Sequence, residues 1–164
     1  MTQTHEGGCL CGAVRFKATA DPVVTTICHC TFCQRLTGSA FLVEPIFRAE
    51  AVEFFGDQPR EFDTVSQGSG KRVGVNFCGQ CGTSLFLRLD RFPGLLGLFG
   101  GAFDDPNWFT RDAEKTKHIF TRSARTDVVL PAGVQLFIDH AYQVDGSPNT
   151  PVVLSEPQPA ALAR

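Results

Sequence analysis

The sequence predicts a mostly-β, single-domain fold of short antiparallel strands with few short helices. Three observations carry this. Apolar and polar residues alternate over short runs, and Gly, Pro, Asp or Gln separates one run from the next. Only one stretch in the first two-thirds combines helical length with a helix stop. In chain order, the alternation predicts strands over 13–18, in "SAFLVEPIF", "AVEFF" and "REFDTV", and over 72–77 and 83–89. The run "LLGLFGGAF" is apolar but too rich in glycine for a stable helix. The helix is expected over 31–37, stopped by Gly38 at the position after its C-cap. From residue 147 onward "SPNTPVVLSEPQPAALAR" is Pro-rich and aperiodic, an extended strand followed by a loose tail. The domain layout expected is 5–121 for the main unit, 122–146 for a segment packed on it and 147–164 for the tail.

The 164 residues suffice for a sizeable core, and 43% hydrophobic with 20% charged residues is ordinary for a globular protein. Fifteen Phe against one Trp and one Tyr favour a plain apolar core over a platform for stacking bases. A formal charge of -2 argues against nucleic acid or an acidic membrane surface as the main partner. "MTQTHEGG" has neither a basic start nor an apolar run, and no apolar stretch approaches the ~18 residues of a membrane helix. The expected location is therefore the cytoplasm. There, seven cysteines read as metal ligands or reactive thiols, and their odd number speaks against a disulfide framework.

The cysteines fall into three motifs: Cys9-Leu-Cys11, Cys28-His-Cys30-Thr-Phe-Cys33 and Cys78-Gly-Gln-Cys81-Gly. A C-x-x-C with glycine inside and after it suits a metal knuckle, because a tight turn must bring both sulfurs to ~2.3 Å from one zinc. In an extended chain, residues two apart point to the same side, so Cys9 and Cys11 can share an ion. The economical partition is four plus three. Cys9, Cys11, Cys78 and Cys81 close a tetrahedral structural site between distant parts of the chain, and Cys28, Cys30 and Cys33 remain. Pairing Cys30 and Cys33 with Cys78 and Cys81, as in a zinc ribbon, is the rival, and it leaves Cys9, Cys11 and Cys28 without a purpose.

Three ligands and an open position are the layout of a catalytic zinc, and a thiol bound there stays ionised near neutral pH. Closure by a histidine is the alternative. His29 lies between two ligands, so its ring points to the opposite side, while His118 and His140 sit singly in apolar surroundings. A redox role for "CTFC" would call for a βαβ setting, which the strand-rich pattern lacks.

With the cysteines placed, "GGCLCGAVRF", "CHCTFCQRLTGSAF", "FCGQCGTSLF" and "GGAFDDP…KHIF" resemble the glutathione-dependent formaldehyde-activating family, which includes centromere protein V-like domains. The likeness runs from about Gly7 to His118 and more weakly to Phe137. It implies a β-tent-like zinc-binding fold with two zinc ions per chain. Cys9, Cys11, Cys78 and Cys81 match the structural ligands, and Cys28, Cys30 and Cys33 the catalytic ones. It also implies a carbon–sulfur lyase-type activity on the adduct of glutathione with formaldehyde, or of a related thiol with an aldehyde. Asp104, His29 and His118 are the candidate proton carriers, although Asp before Pro, as in "FDDP", is also common turn chemistry. A zinc-stabilised binding module without turnover is the alternative function, and a metal or oxidant sensor a third.

Overall fold

The computed structural model describes residues 4–108 and 113–162. The protein is mostly β, with 40% strand and 10% helix. The strands are β1 (His5–Gly8), β2 (Val14–Ala18), β3 (Val24–Cys28), β4 (Leu42–Arg48), β5 (Val52–Gly56), β6 (Arg60–Val65), β7 (Arg72–Phe77), β8 (Ser84–Leu89), β9 (Leu95–Leu98), β10 (Thr116–Ile119), β11 (Val129–Leu130), β12 (Gln135–Leu136) and β13 (Gln158–Pro159). The α-helix is α1 (Thr31–Thr37), and three 3₁₀ turns complete the described elements. The chain falls into two compact units, one built from residues 4–23 and 45–108, the other from 24–44 and 113–162.

In the first unit β1, β2 and β5 form an antiparallel sheet, with Gly7 opposite Phe16 and Phe16 opposite Phe54. Strands β4, β9, β8, β7 and β6 follow one another in antiparallel pairs. The alternation seen in 13–18 puts Val14, Phe16 and Ala18 on one face, and all three are fully buried. Phe16 meets Phe103 edge-on at 5.0 Å, and Phe54 packs on Phe86 at 4.7 Å, so phenylalanine pairs build this core, while Phe55 and Phe62 face solvent. Gly7 is required at its place: a Cβ there would lie 2.4 Å from both the Ala102 carbonyl oxygen and the Phe16 ring. The β7–β8 pairing slips at Asn76 and Phe77, just before Cys78, and re-aims the turn that carries the second cysteine pair.

In the second unit β3 runs parallel to β10, and β10 parallel to β12. This corrects the expectation of antiparallel strands throughout. Alternation fixes which face a side chain takes but says nothing about strand direction, and long connections permit parallel pairing. The "loose tail" is also more ordered than expected. Val152 bridges Leu136, β13 pairs with β11, and Ala160 is buried in a cluster with Ala124, Leu130 and Leu136. Its proline content hid these contacts, which rest on single buried residues and not on a periodic face.

Candidate metal centres

Two groups of cysteine sulfurs stand out, each with all its sulfurs within 4.8 Å of one another: Cys9, Cys11, Cys78 and Cys81 in the first unit, Cys28, Cys30 and Cys33 in the second. This is the four-plus-three grouping; the zinc-ribbon pairing is not formed. Sulfur–sulfur separations are 3.5 Å for Cys9–Cys11, 3.7 Å for Cys11–Cys78 and 3.4 Å for Cys28–Cys30. A disulfide needs about 2.05 Å. Four sulfurs placed tetrahedrally at ~2.3 Å from one ion lie about 3.8 Å apart, so the spacing suits metal ligation.

The four-cysteine group is made by two tight turns. Cys9 and Cys11 lie on the β1–β2 turn, not in an extended strand as the C-x-C spacing suggested. Gly12 follows them in the left-handed region at φ 78° and donates its N–H to the Cys9 carbonyl at 3.0 Å. The β7–β8 turn repeats the device: Gly82 has φ 75° and donates to the Cys78 carbonyl at 2.9 Å. Gly79, inside the motif, has no positive φ; its missing side chain instead leaves room for Arg60, whose Nε would lie 2.7 Å from a Cβ there. Backbone N–H groups point at the sulfurs, Val14 to Cys9 at 3.3 Å and Gln80 to Cys78 at 3.4 Å. Thr83 joins the turns: its hydroxyl accepts from the Leu10 N–H at 3.2 Å and lies 3.1 Å from the Cys81 sulfur. Hydrogen bonds from the Thr83 side chain and backbone draw the Cys81 thiol down to about 5. Cys11 gains an N–H from Ala13, which lowers its thiol, but the Cys9, Cys81 and Cys78 sulfurs and burial together outweigh this and push it up to about 12.

The three-cysteine group sits where β3 gives way to α1. Cys28 ends the strand, Cys30 caps the helix with its sulfur accepting the Cys33 N–H at 3.3 Å, and Cys33 is buried in the first turn. Helix and stop coincide with expectation, Gly38 taking φ 64° at the C-terminus. Gln34, which the sequence did not single out, donates from one amide nitrogen to the His29 carbonyl at 2.7 Å and the Ser123 carbonyl at 2.8 Å. The peptide between two ligands is thereby tied to the turn after β10. Cys28 and Cys33 hydrogen-bond to Cys30 and hold its thiol down at about 3, while both of their own thiols are driven up. In this trio one charge, on Cys30, is stable alone; full ionisation of the three thiols needs a cation among them.

No histidine, aspartate or glutamate among the described residues joins the trio within that distance. His29 is fully buried and turned away as expected, its ring 5.4 Å from Phe41, with Nε2 3.0 Å from Nδ1 of His118. Burial holds the His29 imidazole neutral, with its pKa lowered to about 4. His140 accepts the Tyr142 N–H at 3.0 Å. Asp104 is engaged by Arg15 through two hydrogen bonds, one of 3.0 Å, which hold its carboxyl below the usual range. A second residue the sequence reading passed over is Glu44, buried on β4. A lone acid between Val43 and Pro45 in an apolar strand was the available signal. Along the exposed side of α1 an open depression of about 640 Å³ is lined by Thr31, Gln34, Arg35, Gly38 and Arg125 among others.

The chain matches the sequence profile of the glutathione-dependent formaldehyde-activating enzymes over residues 4–123. It is 28% identical over 106 residues to a Halomonas elongata protein provisionally named glutathione-dependent formaldehyde-activating enzyme, a match covering 60% of this chain and 65% of that protein. The chain thus spans about two-thirds of the length of this curated relative. A crystal structure of a Rhodobacter sphaeroides protein superposes with a TM-score of 0.49 at 18% identity, covering 69% of this chain and 98% of that one. With a family profile spanning most of the chain and both cysteine groups inside the matched region, this protein belongs to the glutathione-dependent formaldehyde-activating enzyme family.

Proposed function

We propose that the protein is a zinc-dependent enzyme of carbon–sulfur lyase type that joins a small-molecule thiol to an aldehyde, or releases one from such an adduct. Glutathione and formaldehyde are the first pair to consider. The observation that carries this is the convergence of Cys28, Cys30 and Cys33 without a fourth protein ligand among the described residues. Such a set holds zinc and leaves room for a substrate sulfur. Zinc held there would keep that sulfur ionised near neutral pH.

The chain's own residues do the rest. Gln34 fixes the peptide between Cys28 and Cys30, and α1 presents Arg35, with Arg125 nearby, to the open depression along its exposed side. Two guanidinium groups suit a thiol that carries carboxylates. His29 is neutral, buried and turned from the sulfurs, which favours a supporting role over ligation. Asp104, committed to Arg15, is a poor proton carrier. We assign Cys9, Cys11, Cys78 and Cys81 to a second zinc that ties the two turns of the first unit together, since a closed four-thiolate set is typically structural. Seven thiols outside disulfides suit a reducing compartment such as the cytoplasm.

The test is exchange between free aldehyde and thiol adduct, followed by NMR with and without zinc-loaded protein. Faster exchange with protein, lost in Cys30→Ser, supports the reading. Equal rates for glutathione–formaldehyde and other thiol–aldehyde pairs would leave a zinc-stabilised binding module.

A further inference from the structure

Glu44 is 5% exposed. Its Oε2 accepts the Thr26 hydroxyl at 2.9 Å, while its Oε1 is buried with no hydrogen-bond partner. Buried carboxyl groups are usually paired or fully hydrogen-bonded, so a half-satisfied one is retained against a cost. Its position explains where it acts. Thr26 and Cys28 are two apart on β3 and share a face, so the hydroxyl that holds Glu44 stands on the Cys28 side of the strand. The carboxyl also feels the charge of Cys30. Among the described residues no cation offsets it: Lys117 lies across from Thr26 in the β3–β10 register, but its ammonium sits over the Phe137 and Tyr142 rings. On β9, which pairs with the far end of β4, no residue ionises. Burial first, then the Cys30 charge, raise this carboxyl to about 7, against the Thr26 bond that lowers it.

We propose that Glu44 is the proton-transfer residue of the Cys28–Cys30–Cys33 site, an inference that rests on the thiol–aldehyde reading above. As the thiolate sulfur attacks the carbonyl carbon, the C–S bond forms and the carbonyl π pair moves to oxygen. The Glu44 carboxyl gives that oxygen its proton, and the resulting carboxylate recovers one from the next incoming thiol as it ionises. In the reverse direction the carboxylate removes the adduct's hydroxyl proton, the C=O bond re-forms and the C–S bond breaks. No proton is gained or lost over a cycle. A group poised near neutrality serves both directions.

Glu44→Gln keeps the shape and an acceptor for Thr26 but cannot pass the proton. It should slow exchange by about 100-fold while holding the same metal content and thiol affinity, and it should erase a pH limb near 7. Thr26→Val removes the bond that favours the carboxylate, so the limb should move to higher pH. A Glu44→Gln rate within about threefold of the parent, far below the usual loss for an acid–base group, with the limb in place, overturns the proposal, as does a limb that Thr26→Val leaves unmoved. If the parent protein accelerates no thiol–aldehyde pair, the functional reading fails separately. Glu44 is then judged by carboxyl-labelled glutamate NMR on the zinc-loaded protein. A resonance missing in Glu44→Gln that titrates near 7 and shifts when glutathione is added keeps Glu44 at the site. A resonance blind to glutathione removes it.

Discussion

Two residues that are not ligands set what the trio can do. Gln34 spends both amide protons on carbonyls, one of them between Cys28 and Cys30. Gln34→Glu replaces donors by acceptors and turns both contacts repulsive. It should weaken the second metal site by about 10–100-fold, the usual cost of losing a partner behind a ligand, while leaving the four-cysteine site filled; competitive chelator titration reads both. Glu44 gives the fold a pH dependence of definite sign. Its carboxyl is raised from 4.5 to about 7, so the native state holds a proton that the unfolded chain has lost across this range. Its contribution is therefore most favourable below 4.5 and is lost as pH rises to about 7, by an amount on the order of 3 kcal/mol. Glu44→Gln should accordingly melt higher than the parent at pH 8, with the difference closing below pH 5; melts at the two pH values decide it. Neither residue announced itself in the sequence. A glutamine after a cysteine and an acid in a strand look ordinary until a carbonyl or a void is placed beside them, and only tertiary packing does that.

At the scale of elements, the cysteine-bearing turns carried most of their meaning in the chain itself. Helix α1 was legible because Gly38 ends it, whereas its Cys30 cap came only with the structure. The sorting of seven cysteines was legible because sulfurs two or three apart have few ways to share an ion. The local backbone of Cys9–Cys11 was not, since the spacing fits a strand and a turn equally and Gly12 was the signal that decided for the turn. Strand direction in β3, β10 and β12 was invisible to alternation. The two centres also differ in what their loss does. Cys11 and Cys78 are 67 positions apart, so Cys81→Ser should release a long-range tie. Structural zinc contributes on the order of 10 kcal/mol in small zinc-dependent units, against a domain's ~5–15. That variant should be insoluble or far less stable. Cys33→Ser breaks a centre whose ligands span 28–33 and constrain little chain, so its melting temperature should fall modestly while the second metal is lost. Thermal melts with zinc counts compare them, and the reverse pattern would exchange the two roles.

For the whole molecule the account predicts two zinc ions per chain, one in each compact unit, with the three-ligand ion leaving first under chelation. Native mass spectrometry counts them, and a single ion under every preparation would leave the trio without a metal. The central claim is narrower: the Cys28–Cys30–Cys33 centre takes its fourth ligand from a small-molecule thiol. A crystal structure of zinc-loaded protein with glutathione tests it most directly. The account predicts the glutathione sulfur at about 2.3 Å from the ion held by these three cysteines, and a side chain of the protein in that position, with glutathione present or absent, would contradict it.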